Sequence, residues 1–285
     1  MPTQGEQEFT KWLRELGRAS FNDENDEVIL PQSLRCSTNE IGDLIDHAYP
    51  SFDTAHPDDY FQQRCILAPR DHEVHEINSI VLERFPGPLR DLPSVDKALD
   101  PQIPSREHSC PIETLHDITP SGFPLARLSL KAGCPIILLR DIPGIEGAFE
   151  GSRGIVTDIG KEVLQVRLLS GGMVLLPRVP HTTTDEDPDL PFHLRRRQFP
   201  VALAFAMTIE KAQGQTFSGA VGVDLRYPCF AHGQLYLALS RANRSVGIKC
   251  IVGTNAGESK TKNVVYREVL VAMSHASPHR YPYVP

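Results

Sequence analysis

Two different rhythms of hydrophobic residues follow one another along this chain, and the change falls near residue 124. Before it, apolar positions recur three or four residues apart, which predicts helices over 8–17, 38–49 and 71–85. Short apolar runs at 28–31 and 65–69 predict strands. Because the second run leads directly into a helix, this half of the chain has the pattern of an α/β domain.

Beyond residue 124 the pattern becomes one of short strands. Strand-like runs fall at 135–140, 154–159, 162–168 and 173–176, and glycine-containing turns separate them, which predicts a small barrel or hairpin sheet. After Pro200 the α/β pattern resumes, with strands at 219–224 and 247–252. A small β module is therefore expected inside an α/β domain. The proline-rich segment 86–124 is expected to be a long surface loop.

Polar residues follow a helix-compatible run at 204–211, in the sequence Lys-Ala-Gln-Gly-Gln-Thr of residues 211–216. Gly214 permits close approach of the backbone, and Gln213 offers neutral hydrogen-bond donors. Such a loop suits a phosphate backbone or a nucleotide edge. From the residues alone, an ordinary polar end of a helix is the simpler explanation.

A second predicted helix, 234–241, packs Leu235, Ala238 and Leu239 inward and ends in Arg241. An arginine there could neutralise charge that develops on a γ-phosphate supplied by another domain. A surface salt bridge is the alternative.

Charge is unevenly distributed, although the 285-residue chain has a net charge of only −7. Residues 1–60 hold 13 acidic and 4 basic residues, a net charge of −9, whereas residues 193–250 carry +6 and include Arg195, Arg196 and Arg197. A local basic face decides whether phosphates are attracted, so this run is a candidate DNA contact. A solvated charged face is the alternative.

Other classes of site lack the required spacing. The six cysteines include no C-x-x-C pair, which argues against zinc and leaves free thiols as the expectation. Residues 253–261 resemble a phosphate-binding loop, but Glu258 and Ser259 separate the second glycine from the lysine. No apolar run approaches the ~20 residues that span a bilayer, and no secretory signal is evident, so a soluble intracellular protein is expected.

Together these motifs resemble the C-terminal half of superfamily 1 helicases of the petite-integration-frequency (PIF) family, especially the copies in Helitron transposons. The stretches that carry the resemblance are 8–17, 60–78, 121–140, 149–154, 194–200, 204–216 and 234–241. It implies an α/β fold: a second RecA-like domain, an inserted SH3-like β-barrel and an N-terminal remnant of the first RecA-like domain. The implied boundaries are 1–60 for the remnant, 61–118 and 199–285 for the RecA-like domain, and 119–198 for the insert.

The resemblance also assigns roles to individual residues. It implies catalytic roles for Arg241, as arginine finger, and for Gln213. Gln234 and Tyr236 are expected to support the last helicase motif, residues 234–241, which ends in Arg241. Residues expected to contact DNA are Thr208, Lys211, Gly214, Arg195, Arg196 and Arg197.

For the complete family enzyme, the resemblance implies ATP and Mg²⁺ as cofactors, no metal ligands in this chain, and 5′-to-3′ unwinding of DNA. The expected partners are single-stranded DNA and the missing first RecA-like domain. The implied location is the nucleus, with the mitochondrion as the alternative. Since the sequence lacks a phosphate-binding loop and a Walker-B acid pair, the chain is expected to be inactive alone. A stand-alone single-strand-binding module and a decayed transposon relic are the other hypotheses.

Overall fold

The computed structural model describes residues 4–51, 59–103, 106–183, 190–253, 259–266 and 268. In these residues the helices are α1 (Gln4–Gly17), α2 (Ile41–Ala48), α3 (Asp71–Arg84), α4 (Ile112–Asp117) and α5 (Gln234–Leu239). The strands are β1 (Glu27–Ile29), β2 (Cys65–Ala68), β3 (Arg90–Pro93), β4 (Val95–Leu99), β5 (Arg127–Leu130), β6 (Pro135–Leu138), β7 (Arg153–Ile159), β8 (Val163–Leu168), β9 (Met173–Pro177), β10 (Val179–Thr182), β11 (His193–Gln198), β12 (Val201–Leu203), β13 (Ala206–Thr208), β14 (Val221–Leu225), β15 (Ile248–Val252) and β16 (Lys260–Lys262).

The chain folds into two compact units. Unit 1 combines the residues up to Ser51, Gln63–His75 and the residues from Ala206 onward, and unit 2 is formed mainly by Glu76–Phe205. Both mix helices with strands, so the mixed α/β fold is confirmed. The finer assignment of domains and boundaries stays a prediction.

Unit 1 is built on a parallel sheet with the strand order β13-β2-β14-β15. Every residue of β2, β13 and β14 is buried, as expected for parallel strands that are covered on both faces. Helix α2 packs closely on this sheet at Gly222, where an added Cβ would lie 3.0 Å from Leu44 Cγ and 3.2 Å from Ile66 Cγ1. A side chain at Gly222 would therefore force α2 away from the sheet.

The N-terminal segment belongs to the same core. Strand β1 pairs antiparallel with β16, with Val28 opposite Thr261. Leu16, Leu30 and Leu34 are buried in one cluster with residues of the parallel sheet and of α5. Unit 1 is therefore closed by residues between 9 and 34 that pack on strands that come much later in the chain.

In its described residues unit 2 forms three antiparallel sheets: five strands in the order β12-β6-β7-β8-β9, three in the order β10-β11-β4, and the pair β3-β5. Buried and accessible positions alternate along β8, β9 and β11, which is the pattern of strands covered on one face. A smaller core joins Ala98, Leu115, Phe192 and Leu194. The four strands predicted between residues 135 and 176 are confirmed as β6 to β9.

Two predictions about local structure are wrong. Residues 206–208 form a strand and a turn follows, where the sequence pattern suggested a helix over 204–211. A short apolar run fits a buried strand and a buried helix equally well, and the neighbouring strand β2 decides the outcome. The segment 86–124 is not one long loop, because it contains β3, β4 and α4. Their pairing partners lie far along the chain, in β5 and β11.

The remaining predicted helices and strands of unit 1 are found within a few residues of their expected ends. Most of the false phosphate-binding loop, residues 254–258, lies outside the described residues. Among the helices that the structure does describe, none has the length and apolarity needed to cross a membrane.

Candidate functional site at the carboxyl edge of the parallel sheet

The polar motif predicted at residues 211–216 lies at one edge of the parallel sheet in unit 1. Because β13, β2 and β14 run in the same direction, the residues that follow Thr208, Ala68 and Leu225 all emerge at this edge. In open α/β sheets ligands commonly bind outside the carboxyl ends of the strands. This edge is therefore the candidate site.

Residues 208–215, called the Gln-Gly loop below, form a compact turn held by its own backbone. The Ala212 amide donates to Thr208 O (3.2 Å), and the Gln215 amide donates to Ala212 O (3.0 Å). The Thr208 hydroxyl is 3.4 Å from the Lys211 amide and accepts from it, and the Thr208 side chain is buried. Thr208 thus shapes the turn, while the side chains at its tip are left to solvent.

The tip of the loop presents Lys211, Gln213 and Gly214, all of which are exposed. Lys211 Nζ lies 3.4 Å from Asp71 Oδ1 in an exposed ion pair. Gly214 has φ +81, the left-handed region that glycine adopts without a steric cost, and an added Cβ would meet nothing within 4 Å. Its backbone is therefore open to a ligand.

Gln234 connects three segments at this edge and is buried. Its Oε1 accepts from the amides of Phe230 (3.0 Å) and Ala231 (3.4 Å), and its Nε2 donates to Glu210 Oε1 (2.6 Å). The sequence predicted a supporting role for Gln234, and these bonds position the loop before α5. Tyr236, half-exposed on the same helix, lies against Gly17, where an added Cβ would come 3.2 Å from Tyr236 Cδ2.

Arg241, the expected arginine finger, is tied to the Gln-Gly loop. Its Nη1 donates to Gln215 O at 3.0 Å, its Nε to Leu237 O at 3.1 Å and its Nη2 to Ser240 Oγ at 3.0 Å. The side chain is half-buried and its hydrogen-bond partners are neutral oxygens. The structure thus brings together the two motifs that the sequence singled out.

Sequence reasoning missed two arginine–carboxylate pairs at the same edge. Arg70 Nη1 lies 3.2 Å from Glu73 Oε1, and Arg226 Nη2 lies 2.9 Å from Asp224 Oδ2. Both carboxylates are almost fully buried. Burial raises the pKa of Glu73, the hydrogen bonds from Arg70 oppose this, and the charge of Asp224 adds to the rise. The sequence held a signal for the first pair, since Arg70 and Glu73 follow the apolar strand β2, whereas Asp224 lies within β14 itself.

The basic run 195–197 lies in unit 2, on β11, and the structure corrects one of its three members. Successive side chains of a strand point to opposite faces. Arg195 and Arg197 are exposed, but Arg196 is fully buried. Its guanidinium donates to both oxygens of Asp96, at 2.6–3.2 Å, and to three backbone carbonyls. Arg196 has no surface with which to meet DNA.

The described residues include no group of three or more His, Cys, Asp or Glu side chains that could hold a metal ion. The six cysteines are free thiols. Burial raises the pKa of Cys229, which lies within the loop before α5, to about 12, with Glu210 and Glu73 adding to the rise. This thiol is therefore protonated and a poor nucleophile near neutral pH.

Comparison with known proteins gives a consistent set of relatives, although no protein-family model matches the chain. Over 189 residues the chain is 30% identical to the human ATP-dependent DNA helicase PIF1, which covers 65% of the chain and 26% of the human protein. It is 33% identical to Pif1 of Bdellovibrio bacteriovorus over 140 residues, 49% of the chain and 30% of that protein. With Campylobacter jejuni Pif1 it shares 28% identity over 235 residues, 79% of the chain and 47% of that protein.

Solved structures agree with this at the level of the fold. A Bacteroides Pif1 bound to single-stranded DNA matches with a TM-score of 0.61 and 21% identity, over 96% of this chain and 54% of that one. The Pif1 helicase of Candida albicans matches with a TM-score of 0.61 and 22% identity, over 97% and 59%. The chain thus spans about half the length of these structures and about a quarter of the human relative. The chain is therefore similar in sequence to PIF1 DNA helicases and shares the fold of the Pif1 structures.

Proposed function

We propose that this chain forms part of an ATP-dependent 5′-to-3′ DNA helicase and holds single-stranded DNA at the carboxyl edge of its parallel sheet. Unit 1 would be the second RecA-like domain, and the five-stranded sheet of unit 2 the SH3-like insert. The hydrogen bond from Arg241 to Gln215 O carries the proposal, because it joins the candidate nucleotide contact to the candidate DNA contact. Relatives named as ATP-dependent DNA helicases support it.

The exposed tip of the Gln-Gly loop provides the DNA contact. Lys211 offers a positive charge, Gln213 offers amide donors, and Gly214 lets a phosphate approach the backbone without meeting a side chain. Thr208 acts indirectly, because its hydroxyl already accepts from the Lys211 amide. Glu210 keeps a negative charge beside this contact, since its hydrogen-bond partner Gln234 is neutral.

Arg241 would serve the nucleotide. In the complete enzyme ATP and Mg²⁺ would supply the phosphoryl group and part of its counter-charge. Of the residues described, Arg241 fits a γ-phosphate contact, because its guanidinium is half-exposed and no carboxylate neutralises it. To reach a phosphate, the guanidinium would give up its bond to Gln215 O. Nucleotide contact and the conformation of the Gln-Gly loop would then be linked.

Single-strand binding by the full chain tests the proposal. Fluorescence anisotropy should show a labelled dT oligonucleotide binding more tightly than a duplex, with log K falling linearly with log salt. Lys211→Met should reduce the salt slope by about 0.7, the value for one phosphate contact on a single strand. The exposed Lys11 of α1 provides the matched control, Lys11→Met. Equal binding of duplex and single strand, or an unchanged slope in Lys211→Met, would contradict the proposal.

The same preparations address hydrolysis. We expect no DNA-stimulated ATP hydrolysis from this chain alone, because its sequence has no lysine spaced for a phosphate-binding loop. The first RecA-like domain, in the same or another chain, would be the partner that supplies it. Clear DNA-stimulated hydrolysis by the purified chain would refute this part. Roles in repair, recombination, telomere maintenance or Helitron transposition, and a nuclear or mitochondrial location, remain proposals from the resemblance.

A further inference from the structure

The loop that joins β14 to α5 carries two aromatic rings in the solvent. In this segment, residues 226–233, called the aromatic loop below, Tyr227 is 47% exposed and Phe230 is 54% exposed. A single exposed aromatic residue needs no explanation, but two within four residues, at an edge where ligands are expected to bind, do. Neither ring contributes to the buried core of unit 1.

Each ring has a flat or cationic neighbour from the start of α3. The Arg70 guanidinium carbon lies 5.0 Å from the centroid of the Phe230 ring, within cation–π distance. The rings of His72 and Tyr227 are 6.0 Å apart and inclined by 64°. The backbone below them is fixed as well, because Gln234 Oε1 accepts from the Phe230 amide. The rings are thus held in position before any ligand arrives.

The charges at this surface are largely compensated. Arg70 is paired with Glu73 and Arg226 with Asp224, both of them buried carboxylates. The aromatic loop therefore offers little unpaired positive charge to a phosphate. What it offers is the faces of two rings, with a guanidinium beside one of them. Flat rings of low charge fit such a surface, and in a nucleic acid these are the bases.

We propose that the aromatic loop is a stacking site for the bases of single-stranded DNA, with Phe230 and Tyr227 as the stacking residues. The inference rests on the proposed function and extends it, because the Gln-Gly loop would hold the phosphate backbone while the aromatic loop holds bases. Arg70 and His72 act as positioning residues that orient the two rings.

Paired oligonucleotides test this directly. The affinity of the full chain is measured by anisotropy for a dT oligonucleotide and for one of equal length in which abasic residues replace the central nucleotides. Phe230→Leu should weaken binding of the dT strand roughly 5- to 150-fold, the range for loss of one stacked base. Binding of the abasic strand should be unchanged by the substitution. The salt slope should also stay constant, because stacking releases no counterions.

Controls separate the possible failures. Phe149 is 59% exposed in unit 2, so Phe149→Leu matches the chemistry and should leave both affinities unchanged. Phe230→Trp should retain binding of the dT strand. Equal weakening of dT and abasic strands by Phe230→Leu and Tyr227→Leu would overturn base stacking while the proposed function stands. A parent chain that binds no single strand at all would overturn both. Circular dichroism confirms folding of each variant, and Tyr227→Leu serves if Phe230→Leu does not fold.

Discussion

Arginine–carboxylate pairs occur in both units, and they differ in which partner is buried. In unit 2 the side chains of Arg196 and Asp96 are both 0% exposed. In unit 1 Glu73 is 1% exposed, while the side chain of its partner Arg70 is 35% exposed. The first pair is closed on all sides. The second anchors an arginine from below and leaves its outer surface in water.

The difference shows how a fold separates a structural arginine from one that it presents to a ligand. The Arg196 guanidinium donates hydrogen bonds to Asp96 and to the carbonyls of Leu115, Ile118 and Pro124. It thereby connects the segment around α4 to the three-stranded sheet. Arg70 keeps a face for the Phe230 ring. Burial of the carboxylate together with exposure of the guanidinium is thus the arrangement that points to binding.

The largest expected effect comes from breaking the closed pair. Arg196→Met leaves Asp96 buried without its cation, and the free energy of unfolding should fall by about 3–5 kcal/mol. Urea denaturation followed by circular dichroism measures this. Arg197 lies on the same strand and makes only an exposed 3.6 Å pair with Glu162, so Arg197→Met should change stability by less than about 1 kcal/mol. Similar losses in the two variants would erase the distinction between closed and presented arginines.

An intermediate effect on stability is expected at His181, which is buried and, among the described residues, makes no ion pair with a carboxylate. Burial, with the positive charges of Arg140 and Arg196 adding to it, lowers the pKa of His181 to about 4. In the unfolded chain the value is about 6.5, so between the two the unfolded state binds the extra proton. Above pH 6.5 His181 is neutral in both states and does not lower the free energy of unfolding. As the pH falls from 6.5 toward 4, protonation of the unfolded chain lowers the free energy of unfolding. The loss amounts to at most about 3 kcal/mol.

His181→Phe provides the comparison, since the ring packs 5.7 Å from Phe123 and the substitution keeps an aromatic ring there. Thermal unfolding of both proteins is measured from pH 4 to 7. The melting temperature of the parent chain should fall relative to that of His181→Phe as the pH falls. A constant difference across this range would show that His181 does not take part in the acid sensitivity.

A smaller loss of stability than in the two cases above is expected at Arg241, whose hydrogen-bond partners are neutral oxygens. Arg241→Ala removes the bonds to Gln215 O, Leu237 O and Ser240 Oγ from a half-buried position, which should cost about 1–2 kcal/mol. Single-strand affinity should stay within about twofold of the parent chain if the residue serves the nucleotide. A larger loss of binding, measured by anisotropy, would place Arg241 in the DNA groove.

Much of the fold could be predicted where the pattern is local. Alternation along β8 and β9 and the apolar run of β2 are readable from neighbouring residues. The burial of Arg196 could be predicted in part, because Leu194, Arg196 and Gln198 alternate with exposed positions of β11. Its ion-pair partner Asp96 could not be predicted, since β4 lies in a segment whose hydrophobic residues show no clear period.

The candidate site divides in the same way. Gln213, Gly214 and Arg241 stand in recognisable motifs, whereas the exposed rings of Tyr227 and Phe230 follow from no pattern. Whether an aromatic side chain is buried or presented depends on the path of its loop, which here is fixed by Gln234. The helix expected before the Gln-Gly loop failed for a related reason, because strand pairing with β2 overrides a short run's own preference.

The order of the parallel strands along the chain also affects synthesis. Strand β2 ends at Ala68, yet its neighbours β13 and β14 begin at Ala206 and Val221. At about 5–20 residues per second, a ribosome needs roughly 7–30 s to make the roughly 140 residues between them. The strands of the five-stranded sheet are all complete before Ala206 emerges. A nascent chain therefore carries a finished inserted unit while β2, apolar throughout, still awaits both of the strands that will flank it.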